Sequence, residues 1–198
     1  MAANEKAALV NRDMQKDSSV VACCNCVSKY SGGWALHIQA KGGVSLVISR
    51  ANESDLEEIL GLQHVAYKSE AELLGSYDIP PLKQTLEDVR REFGSSIILK
   101  TTNEQGKIIG SVRGHVAGGV MYIGKLIVDP SMQGRGVGTT MLDAIEKACD
   151  CERYELFTSS QSVRNIRLYE RVGYSKFKDE TMGGGLTLAY LHKIARQS

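Results

Sequence analysis

Tyr122-Ile-Gly-Lys-Leu-Ile-Val-Asp-Pro-Ser-Met-Gln-Gly-Arg-Gly-Val-Gly-Thr-Thr-Met141 is the stretch on which the fold of this chain turns. It reads as an apolar strand through Val128, an exit at Asp129-Pro130, and a glycine-rich turn that opens a helix. Gly134, Gly136 and Gly138 remove side chains where a backbone must approach a ligand closely. The first amides of a helix lack internal partners and carry roughly half a positive charge, so a pyrophosphate is a natural occupant. Arg135 adds charge-assisted contacts. The bland alternative is a tight loop that merely lets the helix pack. Two other phosphate-binding devices fit poorly: a P-loop needs Lys before its Ser/Thr, and a Rossmann fingerprint needs Gly where Thr139 stands. Asp129–Met132 also separates strand from glycines, whereas a Rossmann turn begins almost at the strand end.

Working outward, Ser96–Thr101, Lys107–Val116 and Val120–Val128 read as an antiparallel meander, with turn residues at Asn103 to Gly106 and at Gly118-Gly119. In the middle strand Ser111, Arg113 and His115 make one face unusually polar for a central position. Downstream, Val137, Met141, Leu142, Ile145 and Ala148 fall at helical spacing, and Tyr154–Thr158 reads as a buried strand. A helix over about Ser162–Arg171 ends at Gly173, and strands follow near Tyr174–Lys178 and Leu186–His192. Upstream, Ser45–Ser49 alternates as a strand, and Asn52 caps a helix carrying Leu56, Ile59, Leu60 and Gln63 through Tyr67. Pro80-Pro81 interrupts, and Leu82–Phe93 is expected as one amphipathic helix. The expected fold class is α/β, in the α+β sense of a mixed, mostly antiparallel sheet flanked by helices.

The domain plan is an N-terminal arm, residues 1–43, poorly structured or docked, and a folded domain over 44–198. In the arm polar and small residues dominate, and Ser31-Gly32-Gly33 and Lys41-Gly42-Gly43 break it into pieces, with a short strand or helix expected around Trp34–Ile38. The whole chain has 198 residues, 42% of them apolar, with 24 basic against 23 acidic side chains. A net charge of +1 gives no reason to expect a nucleic-acid or membrane partner. No apolar run approaches a membrane span and Met1–Asp17 does not resemble a signal peptide, so a cytoplasmic protein is expected. Cys23, Cys24, Cys26, Cys149 and Cys151 form an odd set in two clusters, with no second C-x-x-C to match Cys23-x-x-Cys26, which suggests reduced thiols rather than a metal site.

Gln133-Gly-Arg-Gly-Val-Gly138 resembles the Q/R-x-x-G-x-G/A signature of the GNAT superfamily of acetyl-CoA-dependent N-acyltransferases. Asn165-Ile-Arg-Leu-Tyr-Glu-Arg-Val-Gly-Tyr174 is similar to that superfamily's late helix, N-x-x-L-Y-x-x-x-G-[FY]. Arg50-Ala51 with Asp55 looks like its first strand-to-helix junction, and Leu186–Lys193 like its final strand. The resemblance covers about Ser45 to Lys193, all but the arm.

The resemblance implies a GNAT-like fold with a splayed parallel strand pair, Val120–Val128 and Tyr154–Thr158, holding the pantetheine arm of acetyl-CoA, a co-substrate; no metal is implied. Leu126, Ile127 and Val128 would pair with that arm through their backbones, and the Val128 amide would hold the thioester carbonyl and the oxyanion of the tetrahedral intermediate. Gln133, Gly134, Arg135, Gly136, Val137, Gly138 and Thr139 would take the pyrophosphate. Tyr169 corresponds to the family's general acid, with Asn165 a helical turn earlier. The implied activity is transfer of the acetyl group to a primary amine of a small molecule, amino acid, peptide or protein; the rival reading is a non-catalytic acyl-CoA-binding regulatory module. Val120–Val128 carries no carboxylate, a departure from family members that keep a glutamate there, so the base stays unassigned among His115, Glu70 and Glu72. Tyr67, Glu70, Glu72, Tyr77 and His115 are the candidate substrate residues, and a homodimer is compatible with the reading.

Overall fold

The computed structural model describes residues 35–40 and 43–195. Residues 1–34, with Cys23, Cys24 and Cys26, lie outside the described residues. One open sheet of eight strands runs through the described chain, in the order β1-β2-β3-β4-β5-β6-β8-β7. Its members are β1 (Ala35–Ala40), β2 (Val44–Arg50), β3 (Ile97–Thr102), β4 (Ile108–Ala117), β5 (Val120–Val128), β6 (Arg153–Ser159), β7 (Ser175–Thr181) and β8 (Thr187–Ile194). Neighbours are antiparallel except β5 and β6. Ala35–Ala40, inside the expected arm, is therefore an edge strand that pairs with β2 along its whole length.

Helices cover both faces of the sheet. On one side lie α1 (Leu56–Ala66), α2 (Lys68–Leu74), α3 (Pro80–Lys83) and α4 (Leu86–Phe93). Leu56, Ile59 and Leu62 of α1 and Val89 of α4 bury themselves against Ile98, Ile108 and Ile127. On the other side α5 (Val137–Lys147) packs Val137, Met141, Leu142 and Ile145 against Leu46, Ile48, Leu99 and Val112. Each such side chain, taken fully out of water, contributes about 1.5–3 kcal/mol. β4 accepts α5 closely because it presents glycines there: a Cβ on Gly110 would meet Thr101 Cγ2 at 2.9 Å, and one on Gly114 would meet Ile145 and Met121 at 3.2 Å. The other face of β4 carries Arg113, which is buried under α1 and α4.

The segment 67–93 departs from expectation. The connection after α1 is itself helical over α2, which ends on Gly75 in the left-handed region, φ 65°. The single helix expected over Leu82–Phe93 is two. Thr85 starts α4 with a capping box, its hydroxyl accepting from Asp88 N at 3.2 Å while Asp88 Oδ2 accepts from Thr85 N at 2.9 Å. The sequence signal for this box, Thr-x-x-Asp, outweighs continuation through Gln84, which is extended. The last helix, α6 (Val163–Arg171), closes as expected at Gly173, φ 97°. Gly173 N donates to Glu170 O and Tyr174 N to Tyr169 O, both at 3.1 Å, a Schellman closure. Cys149 is disulfide-bonded, a correction to the expectation of reduced thiols.

Candidate functional site

β5 holds the decisive irregularity. Its pairing with β4 joins Ser111 to Ile127 and Arg113 to Gly124, so Lys125 and Leu126 together oppose Val112 alone. Lys125 takes φ 48°, a left-handed value costly for a side chain of its size. This bulge turns the end of β5 aside. Pairing with β6 stops at Ile123↔Leu156, while β6 continues beside β8 to Ser159. Between Gly124–Val128 and Phe157–Ser159 the sheet is open, and the opening is part of a cleft of about 1940 Å³.

Successive peptide N–H groups of a strand point to opposite edges. Asp129 N donates to Ile109 O on the β4 side at 2.9 Å, so the N–H of Val128 faces the opening. The chain then makes a tight turn. Asp129 Oδ1 accepts from Ser131 N at 3.0 Å and from its hydroxyl at 2.6 Å, which holds the Asp129 carboxyl below its usual range. Gln133 ties three elements together: its Nε2 donates to Val128 O at 3.2 Å, and its Oε1 accepts from Arg164 Nη1 of α6 at 2.8 Å.

Gly134 (φ 77°) and Gly136 (φ 83°) then bring the backbone into α5, with Gly136 at the cap position and no side chain capping the helix. A Cβ on Gly134 would meet nothing within 4 Å. The start of α5 is thus a set of amides without a side-chain cap at the border of the cleft. Gln133, Gly134, Gly136, Gly138 and Thr139 border the cleft, as do Leu126, Ile127 and Val128. Arg135 is exposed beside the turn, and Val137 is buried beneath it.

α6 forms the far wall. Asn165 Nδ2 donates to Thr158 Oγ1 of β6 at 3.3 Å. Tyr169, a turn later, is buried with its ring 6.1 Å from Tyr174, yet it borders the cleft. Burial, then Tyr67 and Glu70, push its hydroxyl well above the ordinary tyrosine value, so it keeps its proton.

The remaining wall comes from α1, α2 and the chain after them. Tyr67 and Glu70 border the cleft there, whereas exposed Tyr77 and Glu72 lie outside its lining, 3.5 Å from each other. Burial pushes the Tyr67 hydroxyl up to about 12; Arg113 opposes this, while Glu70 and Glu92 add to it. Burial also raises the Glu70 carboxyl, against a hydrogen bond from Ser162 Oγ at 3.2 Å. His115 borders the cleft too, with Nδ1 3.0 Å from Ser95 O.

Sequence reasoning missed a buried polar cluster beneath this wall. Arg113 pairs with Glu92 and donates from Nη2 to Gln63 Oε1 at 2.8 Å. Lys125 Nζ, at the bulge, donates to Glu92 Oε1 at 2.6 Å and to Gln84 Oε1 at 2.9 Å. Burial pushes Glu92 up, but Lys125 and Arg113 prevail and hold it below the usual range. Burial and the neighbouring guanidinium pull Lys125 down to about 8. The polar face of β4 was the only sequence signal, and nothing local tied it to residues 63, 84, 92 and 125. Among the described residues no group of His, Cys, Asp or Glu is placed to hold a metal ion, and no helix is long and apolar enough to cross a membrane.

The family model described as "Acetyltransferase (GNAT) family" matches residues 56–174, more than half of the chain. Among curated relatives, the chain is 28% identical over 136 residues to "UPF0157 protein YqkA" of Bacillus subtilis, covering 68% of this chain and 39% of that protein. It is 27% identical over 144 residues to the mycothiol acetyltransferase of Propionibacterium freudenreichii, covering 66% and 43%. The chain spans less than half the length of the curated relatives it matches. Among solved structures, PaiA N-acetyltransferase from Thermoplasma acidophilum in complex with coenzyme A has the same fold, with a TM-score of 0.63 at 17% identity, over 76% of this chain and 99% of that one.

Proposed function

The chain belongs to the acetyltransferase (GNAT) family, and from that premise we propose that it is an N-acetyltransferase moving acetyl from acetyl-CoA to a primary amine of a small molecule, amino acid, peptide or protein. The observation that carries this reading is the uncapped start of α5 standing at the open end of β5. Those features fit a thioester on a long diphosphate-bearing arm. Glycines leave room at Gly134, the helix start offers amides and a favourable dipole to the diphosphate, and the parted strands offer backbone groups to an extended chain. Bound there, acetyl-CoA supplies the acyl group and a thiolate leaving group.

Each residue then has a defined task. Gln133 to Thr139 hold the diphosphate, and Gln133 also fixes the turn against Val128 and Arg164. Leu126, Ile127 and Val128 align the arm through their backbones. The Val128 N–H stabilises negative charge developing on the carbonyl oxygen, an effect of about 3–4 kcal/mol for such a donor. Tyr169, kept protonated by burial, gives its proton to the departing sulfur, and Asn165 holds α6 to β6 beside it. Tyr67 and Glu70 face the acceptor.

Thiol release from acetyl-CoA across a panel of alkyl amines, lysine peptides and peptide N-termini tests the reading. Turnover with one acceptor class is the expected result. Tight acetyl-CoA binding without turnover on any amine would leave a binding module, and no binding would remove the reading altogether.

A further inference from the structure

An alkyl ammonium has a reference pKa near ~10.4, so at neutral pH the acceptor arrives protonated and cannot attack. A group in the cleft must take its proton, and β5 carries no carboxylate to do so. The carboxylates bordering the cleft are Glu70, Asp88, Glu92, Glu155 and Glu180. Glu92 is held by Arg113 and Lys125, and Asp88 is spent on the cap of α4. Glu155 pairs with Arg153 where β5 and β6 are still joined, and Glu180 pairs with Lys178 on the outermost strand. His115 lies opposite Tyr122, on the closed side of the opening, and its Nε2 is buried.

Glu70 differs from all of these. It projects from α2 across to the residue that precedes α6, where Ser162 Oγ donates to its Oε2 at 3.2 Å. The helix so reached carries Asn165 and Tyr169. Glu70 thus touches Ser162, the residue that precedes α6, while Tyr67 from the α1–α2 junction and Tyr169 from α6 both feel its charge. No cation is paired with it among the ion pairs of the described residues.

We propose that Glu70 is the general base: its carboxylate takes a proton from the acceptor ammonium, in the space between α2 and Tyr169. The N–H bond breaks and its electron pair stays on nitrogen, while the proton forms an O–H bond on Glu70. The neutral amine can then attack; the second proton it sheds as the amide forms replaces the one Tyr169 gives to the departing sulfur, and the half-buried carboxyl returns its own proton to water before the next turnover. Burial assists, since each unit by which the carboxyl is raised narrows the gap to the ammonium by about tenfold. This inference rests on the acyl-transfer reading above.

The test compares wild type and Glu70→Gln with an alkyl amine and with hydroxylamine, which is largely uncharged at neutral pH. Glu70→Gln should lower kcat/KM for the alkyl amine about 10²-fold at neutral pH. The deficit should shrink as pH rises and free amine appears, and only a few-fold loss is expected with hydroxylamine. Calorimetry should show acetyl-CoA binding retained. Ser162→Ala supplies an independent check: it removes a hydrogen bond that favours the ionised carboxyl, so the acid limb of the rate profile should move to higher pH. Equal losses with both acceptors at every pH, or an unmoved acid limb in Ser162→Ala, would overturn the role of Glu70. A wild type that binds acetyl-CoA but acetylates neither acceptor would instead overturn the acyl-transfer reading, and Glu70's role with it.

Discussion

At the scale of single residues, two side chains make separable predictions. Tyr169→Phe keeps the ring that packs on Tyr174 and removes only the proton donor. A thiolate is a fair leaving group already, with a reference pKa near ~8.5, so turnover should fall by about 10²-fold or less while acetyl-CoA affinity holds. Steady-state rates beside calorimetry check this, and an unchanged rate would leave Tyr169 a packing residue. Lys125 makes a prediction about stability. In the folded chain its ammonium loses its proton near pH 8, whereas an unfolded lysine keeps it to about 10.4. Between those values the unfolded chain binds more protons, so stability from this group rises with pH. Above about 10 the sign reverses, because burial holds Tyr67, Tyr154 and Tyr190 near 12 and unfolded tyrosines ionise first. Urea unfolding at pH 7 and pH 9.5 should show the gain in wild type, and Lys125→Met should lose it.

At the scale of elements, the turn into α5 is the most exposed to a single change. Gly136 sits at φ 83°, so any side chain there is strained whatever its chemistry. Gly136→Ala should therefore cost about 1 kcal/mol of stability, and Gly136→Glu the same strain plus a negative charge at the helix start. Acetyl-CoA binding by calorimetry should survive the first substitution weakly and vanish in the second, with both proteins folded by circular dichroism. This element was legible in the sequence because its signal is local: glycines, a strand end and an apolar helical period lie within twenty consecutive residues, 122–141. The break at Gln84 was written just as locally, in Thr85 and Asp88, but periodicity through Leu82–Phe93 masked it. The Arg113–Glu92–Lys125 cluster was not legible, since its members are 12 to 33 positions apart along the chain and meet only once β4, β5 and α4 have packed. The reach of Glu70 to Ser162, across 92 positions, is hidden for the same reason.

At the scale of the whole molecule, the sheet begins ahead of the domain start expected at residue 44, in the segment where a short strand or helix was expected. Ala35–Ala40 alternates poorly and is mostly exposed, with Ala40 buried and Ile38 packed on the core. Its membership in the sheet comes from pairing with β2 rather than from a pattern of its own. Truncation through Ala40 should leave acyl transfer measurable, since β2, β3 and β4 stand between β1 and the parted strands even though Gln39 and Ala40 border the cleft, but lower the melting temperature by about 4–8 °C, equivalent to about 2 kcal/mol. Scanning calorimetry of the truncated chain checks this, and an unchanged melting point would mean that β1 adds nothing to β2. The two banks of the cleft also have different origins. Residues 122–141 build the bank proposed to hold the diphosphate, braced by Arg164 of α6, while the opposite bank is laid down by residues 67–93. A chimera that exchanges 67–83 for the matching piece of a relative could thus trade one clientele of amines for another. Gln84 and Glu92 must stay behind in such a graft, because they moor Lys125 and with it the kink that keeps the two strands apart.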